Sequence, residues 1–344
     1  MPDATSDSFL RQLSEYRDLV APHLRVDATN REPRKYLYDL IEYHLERAGK
    51  GLRPALCLAT CSAWGGDVQD ALSTAAALEM LHNAFLVHDD IEDGSEYRRG
   101  EPTLYRKNGV ALAINAGDAM QALSLRMVRT SSNALGPALT LRLLDEFDHM
   151  LIESLEGQAL EMGWIRDNLR DTTARDYITM SLKKTCWYSF IHPCRIGALI
   201  AQPNRVDLDR CDHFGLFAGI AFQIQDDVLN VLGDRGVYGK EIGGDLWEGK
   251  RTLMLVHLQQ MLQPREAERL YSVLSKPRSA RASHDIGWIA ERMSTYGSIE
   301  YARGVARQFV EAAEHAFEVA FEGCPPQSLG FLRSFVRYLA DRDV

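Results

Sequence analysis

Three features of the sequence predict an all-α fold in a single domain. Apolar residues recur at helical spacing along nearly the whole chain. No segment alternates apolar and polar residues over a useful strand length, and no linker rich in Pro, Gly or Ser divides the 344 residues. That length is enough to bury a sizeable core. An N-terminal helix with its connecting segment (1–29) is expected ahead of the main helical unit (30–344).

Phe9, Leu10, Leu13, Tyr16 and Val20 mark the first amphipathic stripe, with Ser6, Asp7 and Ser8 as capping candidates. Leu37, Leu40, Ile41, Leu45 and Ala48 mark the second, opened by Pro33 and closed by Gly49. The segment 67–90 is apolar on every face and rich in Ala and Leu, the pattern of a buried helix. Further helical periodicity covers 111–131, 136–163, 174–201, 207–232, 251–262, 264–274, 284–295, 299–322 and 327–340. Turn-forming breaks fall at Gly65-Gly66, Gly100 to Pro102, Gly233 to Gly244 and Pro325-Pro326.

Hydrophobic residues make up 46% and charged residues 25%, a globular composition that argues against extensive disorder. A net charge of −9 gives no electrostatic reason to expect nucleic acid as a partner. Cys57 and Cys61 lie four apart in an apolar helical stretch, and no CxxC pair occurs, so reduced thiols are expected rather than a zinc site. The first thirty residues carry acids and no apolar core of a secretory signal. No apolar run is long enough to span a membrane, and a cytoplasmic location is the expectation.

Two acidic clusters carry the chemistry. Asp89-Asp90-Ile91-Glu92-Asp93 ends the buried 67–90 segment, and Asp89 and Asp93, four apart, share one helix face. Asp226-Asp227-Val228-Leu229-Asn230 repeats the spacing after the apolar stretch Phe214 to Ile224, with the Asn230 amide as a neutral oxygen. Like charges one turn apart repel unless a cation sits between them. Carboxylate and amide oxygens without clustered His or Cys suit Mg²⁺, which binds few protein carboxylates and fills its shell with water and phosphate oxygens. Two such helix ends facing each other would cage a metal–diphosphate complex.

Basic residues recur beside both clusters: Lys50, Arg53, Arg98, Arg99, Lys183-Lys184, Lys240 and Lys250-Arg251. Arginine grips phosphate oxygens in pairs, whereas lysine acts as a point charge. Gly49-Lys50-Gly51-Leu52-Arg53-Pro54, His82, DDIED, Arg98-Arg99-Gly100, Lys184-Thr185, Phe222-Gln223, DDVLN, Gly239-Lys240 and Gly249-Lys250-Arg251-Thr252 stand in one order. Together they resemble the trans-isoprenyl diphosphate synthase (polyprenyl synthetase) family over about residues 30–340.

That resemblance implies a helical bundle of isoprenoid synthase type around a deep central cavity, and a homodimer. It implies head-to-tail condensation of isopentenyl diphosphate with an allylic diphosphate. Lys50, Arg53, His82 and Arg99 match its isopentenyl diphosphate contacts, and Arg98, Lys184, Lys240 and Lys250 its allylic diphosphate contacts. Asp89, Asp93 and Asp226 match ligands of about three Mg²⁺ ions, with Asp90, Asp227, Asn230 and Asp245 in support. Thr185 and Gln223 match residues that steady the carbocation or orient the diphosphate. Gly51 stands where many members carry a basic residue, and Asn230 replaces the last Asp of the second motif. His82 has a second reading as a packed core histidine. Asn115, Gly117 and Asp118 read as close helix packing.

Product length is expected to depend on the helix carrying Asp89. Phe85 lies one turn (about 5.4 Å) below it, where a bulky ring would form a floor, and the small Ala84 leaves space. In the resembling enzymes a small residue at the Ala84 position allows geranylgeranyl diphosphate, with farnesyl diphosphate the alternative. Two further readings compete. A class I terpene cyclase would use Asn168, Thr172 and Asp176, which have the required spacing but lie in a polar, loop-like stretch. A non-catalytic partner subunit would tend to lose one acidic cluster, and this chain keeps both.

Overall fold

Helices carry the chain almost from end to end in the computed structural model, which describes residues 4–26, 31–47, 49–204, 207–232 and 243–341. α1 (Ala4–Val26), α2 (Asp39–Leu45), α3 (Leu52–Ala63) and α4 (Val68–Glu92) lead into a short hairpin, β1 (Tyr97–Arg98) and β2 (Glu101–Pro102). α5 (Leu104–Asn108), α6 (Val110–Thr130), α7 (Ser132–Leu135) and α8 (Pro137–Arg166) follow. α9 (Ala174–Ser181), a π-helix (Leu182–Ile191) and α10 (His192–Ala201) form one continuous run. Then come α11 (Arg210–Leu232), α12 (Gly244–Glu248), α13 (Leu253–Met261), α14 (Pro264–Leu274), α15 (Ser283–Thr295), α16 (Ser298–Ala320) and α17 (Gly330–Asp341).

α4 is the buried helix the sequence predicts. The Asp67 carboxylate caps it by accepting the Gln69 N–H at 2.9 Å. Its Ala and Leu side chains pack against α3, α6 and α1, which buries most of its length. α11 is its counterpart, packed on α16 and the π-helix. The segment set apart as 1–29 contributes to the same core: the Phe9 ring of α1 stacks on Phe331 at 5.4 Å and on Tyr338 at 4.7 Å. Gly117 brings α6 against α4, since a Cβ there would lie 2.3 Å from His88 Nε2, the close packing expected of that stretch.

The stretch 174–201, expected as one helix, changes its winding in the middle. Lys183-Lys184-Thr185 do not break it; ten residues instead wind as a π-helix, a form often found at functional sites. α8 holds this segment. Glu146 accepts from His192 Nδ1 and Arg195 Nε, both at 2.8 Å, just where α-winding resumes. Burial alone would raise the Glu146 carboxyl, but these donors outweigh it and bring it down to about 2. The hairpin is the one strand pairing among the described residues. Its two-residue turn has Arg99 at φ 54° and Gly100 at φ 80°, the double positive φ that matches strand twist. The glycine-rich break, with Lys240, lies outside the described residues apart from Gly243 and Gly244. The six cysteines are free thiols, and five are buried.

Gly157 on α8 sits against the π-helix so closely that a Cβ would lie 2.3 Å from the Lys184 backbone nitrogen. Gly157→Ala is expected to destabilise the fold by about 1–3 kcal/mol, read as a lower denaturation midpoint. An unchanged midpoint would mean the two helices can part without cost.

Candidate active site

A cavity of about 830 Å³ opens between α4, α8, the π-helix and α11. The two acidic clusters meet across it, with Asp89 lining one side and Asp226 and Asp227 the other. Lys50, Arg53, His82, Phe85, Arg98, Arg99, Lys184, Thr185, Gln223 and Lys250 line it as well. The fold therefore gathers most of the sequence-predicted site residues around one hollow.

At the α4 end each aspartate is met by a cation, while Glu92 accepts from the Gln158 amide at 2.6 Å. Arg98, carried on β1, donates from Nε to Asp90 at 2.8 Å and from Nη2 to Asp89 at 3.3 Å. Lys184 lies between Asp89, at 3.8 Å, and Glu161 of α8, with which it forms a short ion pair. Lys250 donates to Asp93 at 2.6 Å and also pairs with Glu248 at 2.8 Å. Asp90 and Asp93 thus lie behind the cavity wall, each held by its cation. Burial pushes the Asp93 carboxyl up; Lys250 opposes this, and the nearby Asp89 and Glu248 add to it. Burial disfavours the Lys250 ammonium, but Asp93 and Glu248 more than compensate and hold it charged.

At the α11 end Asp227 sits in a chain of neutral donors. Tyr177 Oη donates to Asp227 at 2.8 Å, Gln223 Nε2 donates to it at 2.7 Å, and Thr185 Oγ1 donates to Gln223 Oε1 at 2.8 Å. Burial again raises the Asp227 carboxyl, while Tyr177 and Gln223 pull it down. Asn230 does not take the position expected of a ligand. It is buried outside the cavity lining, and its Oδ1 accepts the Asp245 N–H at 3.1 Å, which holds the start of α12. The reason is the chain path: the backbone returns past Asn230, whose carbonyl also accepts the Gly243 N–H at 2.7 Å.

The other end of the cavity is basic. Arg53 donates from Nη2 to Tyr188 Oη and to Ser189 Oγ, both at 2.8 Å, and its guanidinium lies 4.3 Å over the Tyr188 ring. Arg99 donates to the Arg47 carbonyl, and Lys50 lines the rim nearby. Burial first, then the positive charges of Arg53 and Arg99, drives the His82 pKa well down, so the ring is neutral. Phe85 meets Tyr188 edge-on at 5.4 Å and narrows the apolar part of the cavity. Ala84 is fully buried in the core behind it and does not face the hollow.

Glu161, Tyr177 and Tyr188 are site residues the sequence reading missed. Tyr188 carried a signal, standing four residues beyond Lys184 on the same helical run. The Asn168, Thr172 and Asp176 triad is engaged elsewhere. Asn168 accepts from Arg251 at 2.7 Å, Thr172 donates to Gln259 at 3.2 Å, Asp176 caps α9 through Thr173, and none lines the cavity.

The acids fit hard divalent ions. All are oxygen donors on opposed helix ends, and burial disfavours the charged form of Asp93 and Asp227, which a bound cation would offset. Among the described residues no group of three or more acidic, His or Cys side chains is placed to hold a metal ion by itself.

Opposed acidic helix ends and two groups of cations around an apolar hollow, in an all-helical bundle, define an enzyme that handles prenyl diphosphates. The sequence matches the polyprenyl synthetase family over residues 34–290. It is 32% identical over 325 residues to the short chain isoprenyl diphosphate synthase of Methanothermobacter thermautotrophicus, covering 94% of this chain and 96% of that one. The crystal structure of geranylgeranyl pyrophosphate synthetase from Pyrococcus horikoshii superposes with a TM-score of 0.85 at 28% identity, covering 98% of this chain and 99% of that one. A geranylgeranyl pyrophosphate synthase from Corynebacterium glutamicum, solved with isoprenyl diphosphate and magnesium, gives 0.81 at 26% identity over 99% of both chains. The chain belongs to the polyprenyl synthetase family, and it is a trans-prenyltransferase.

Tyr177→Phe removes the buried donor to Asp227 and changes little else. It is expected to lower kcat/KM for prenyl transfer by about tenfold with the helical circular-dichroism spectrum unchanged. Wild-type kinetics in this variant would show that Gln223 alone holds Asp227.

Proposed function

We propose that this enzyme condenses isopentenyl diphosphate with an allylic diphosphate to give geranylgeranyl diphosphate, working as a Mg²⁺-dependent homodimer in the cytoplasm. The observation that carries the reading is a cavity with two separate cationic ends. Arg98, Lys184 and Lys250 surround the acids, and Lys50, Arg53 and Arg99 stand apart from them. A condensation needs two diphosphate subsites, whereas a cyclase needs one.

Arg98, Lys184 and Lys250 would stabilise the charge that builds on the leaving diphosphate as the allylic C–O bond breaks. Asp89 and Asp226, which line the cavity, would hold about three Mg²⁺ ions with Asp227 and Asp90 in support, and Asp93 would join them by exchanging Lys250 for the metal. The metal, when bound, adds Lewis-acid stabilisation of the same departing oxygens. Lys50, Arg53, His82 and Arg99 would fix isopentenyl diphosphate with its double bond toward the allylic carbon. A carbon–carbon bond then forms, and the proton lost from the isopentenyl unit passes to the departed diphosphate. Thr185 and Gln223 would orient that diphosphate, and Phe85, Tyr188 and Phe222 would keep water from the carbocation.

Farnesyl diphosphate is the second reading, favoured by the Phe85–Tyr188 pair that narrows the hollow. Homodimer formation is supported by large apolar side chains that α6 and α8 leave exposed, among them Ile114, Leu125, Leu141 and Ile152. The cytoplasmic placement agrees with the helices, none of which, among the described residues, is long and apolar enough to cross a membrane.

Incubation of the protein with isopentenyl diphosphate, each allylic starter and Mg²⁺ tests the reaction, and chromatography of the dephosphorylated products reads chain length. Phe85→Ala is expected to shift the products longer, and an unchanged distribution would remove Phe85 as the floor. Ile152→Glu is expected to shift the mass measured by light scattering toward the monomer. A dimer unaffected by that charge would place the interface elsewhere.

A further inference from the structure

The corner of the cavity beside Arg53 and His82 holds a buried acid that none of the roles above uses. Glu79 lies on α4, three residues before His82, and lines the cavity at only 3% exposure. Its Oε1 accepts a long hydrogen bond from Asn83 Nδ2 at 3.4 Å, whereas its Oε2 is buried with no protein partner. Arg53 Nε and His82 Nδ1 are buried without partners as well. Three unmatched polar atoms in one corner mark a place where a polar ligand completes the hydrogen bonding.

The charged and titratable groups facing Glu79 come from several elements. Arg53 of α3 and Arg99 of the hairpin supply positive charge; His82 on the same helix is neutral, as is His44 of α2, whose pKa falls to about 3 through burial and the nearby arginines. Burial raises the Glu79 carboxyl against the pull of Arg53 and Arg99. An anion arriving between those arginines would favour the uncharged acid further, because like charges repel. A carboxylic acid kept neutral in an apolar pocket can serve as a hydrogen-bond donor.

We propose that Glu79 is a further substrate-binding residue, which as a carboxylic acid donates a hydrogen bond from Oε2 to a phosphate oxygen of isopentenyl diphosphate held by Arg53 and Arg99. The inference rests on reading this corner as the isopentenyl diphosphate subsite. It gives the otherwise unmatched oxygen a partner and adds a second uncharged group, beside His82, to a subsite whose other members are cations.

The test is calorimetric titration of the full-length protein with isopentenyl diphosphate, in wild type, Glu79→Gln and Glu79→Leu, alongside the KM for the allylic substrate. Gln keeps an N–H donor without charge, and Leu keeps volume without a donor. Asn83 Nδ2 donates to the residue-79 backbone carbonyl at 2.8 Å, a contact that neither substitution removes. The expected result is a Glu79→Gln dissociation constant within about threefold of wild type and a Glu79→Leu constant weaker by about tenfold or more. The allylic KM should stay unchanged in both. Equal weakening by Gln and Leu would overturn the proposal in favour of a charged carboxylate, and a Leu variant that binds like wild type would remove the contact. Parallel loss of both substrates would assign Glu79 to the fold alone. A wild-type protein that fails to bind isopentenyl diphosphate would refute the subsite reading itself, an outcome separate from any ranking of the variants.

Discussion

Carboxylates at the inner ends of two buried helices can persist only where cations or donors meet them, and that constraint shapes the rest of the site. Asp90 and Asp93 have side chains only 3% and 8% exposed, yet each is paired, with Arg98 and Lys250 respectively. Removing one partner from such a pair leaves a buried charge uncompensated, which costs about 3–5 kcal/mol. Each partner comes from a different part of the chain. The β1–β2 hairpin delivers Arg98, the loop after α12 delivers Lys250, and the π-helix delivers Lys184. The acidic end of α4 is therefore a hub that fixes three otherwise independent segments against one wall of the cavity.

The same arrangement prepares the site for an anionic ligand. Lys184 is shared between Asp89 and Glu161, and Lys250 between Asp93 and the pair Glu248 and Asp245, so each cation has an acidic partner at the end of α4 and at least one outside it. A diphosphate brings several oxygens that both lysines can reach as point charges, while Glu161 and Glu248 keep them anchored from behind. Binding would then redistribute contacts without moving the lysines far. Preorganised charge of this kind lowers the reorganisation needed at the moment of bond breaking.

How much of this was legible from residues alone follows from the range of each interaction. Asp89 and Asp93, and Phe85 one turn below, were legible because helical periodicity fixes their relative placement locally. Gathering the basic residues into one hollow needed the resemblance, since nothing local links Lys50 to Lys184. Glu161 and Tyr177 were not legible. Their partners lie 23 and 50 residues away, and only the tertiary packing of α8 and α9 brings them together. Asn230 has the motif spacing of a ligand, while the returning chain at Gly243 and Asp245 takes up its oxygens, a tertiary contact that spacing does not reveal. The triad at Asn168, Thr172 and Asp176 had suitable spacing for the opposite reason. Each of its members satisfies a nearby loop or helix end, and spacing alone does not separate capping from catalysis.

The π-helix was hidden for a further reason, and it accounts for the distance between the two cationic ends. Winding with i to i+5 hydrogen bonds widens the turn, so residues four and five apart share a face more fully than in an α-helix. Lys184 and Thr185 on one turn face the acids, and Tyr188 and Ser189 on the next hold Arg53, all on the cavity side. One turn of this helix therefore spans from the group beside Asp89 to the group that grips the second cationic end. The spacing between Lys184 and the Tyr188–Ser189 pair that holds Arg53 is set by backbone pitch rather than by flexible side chains. The close approach at Gly157 and the Glu146 clamp on His192 keep that pitch in register with α8. A reaction that must join two substrates at a single pair of carbon atoms requires this fixed spacing more than it requires any one charge, because misplaced reactants forfeit most of the gain from being held together.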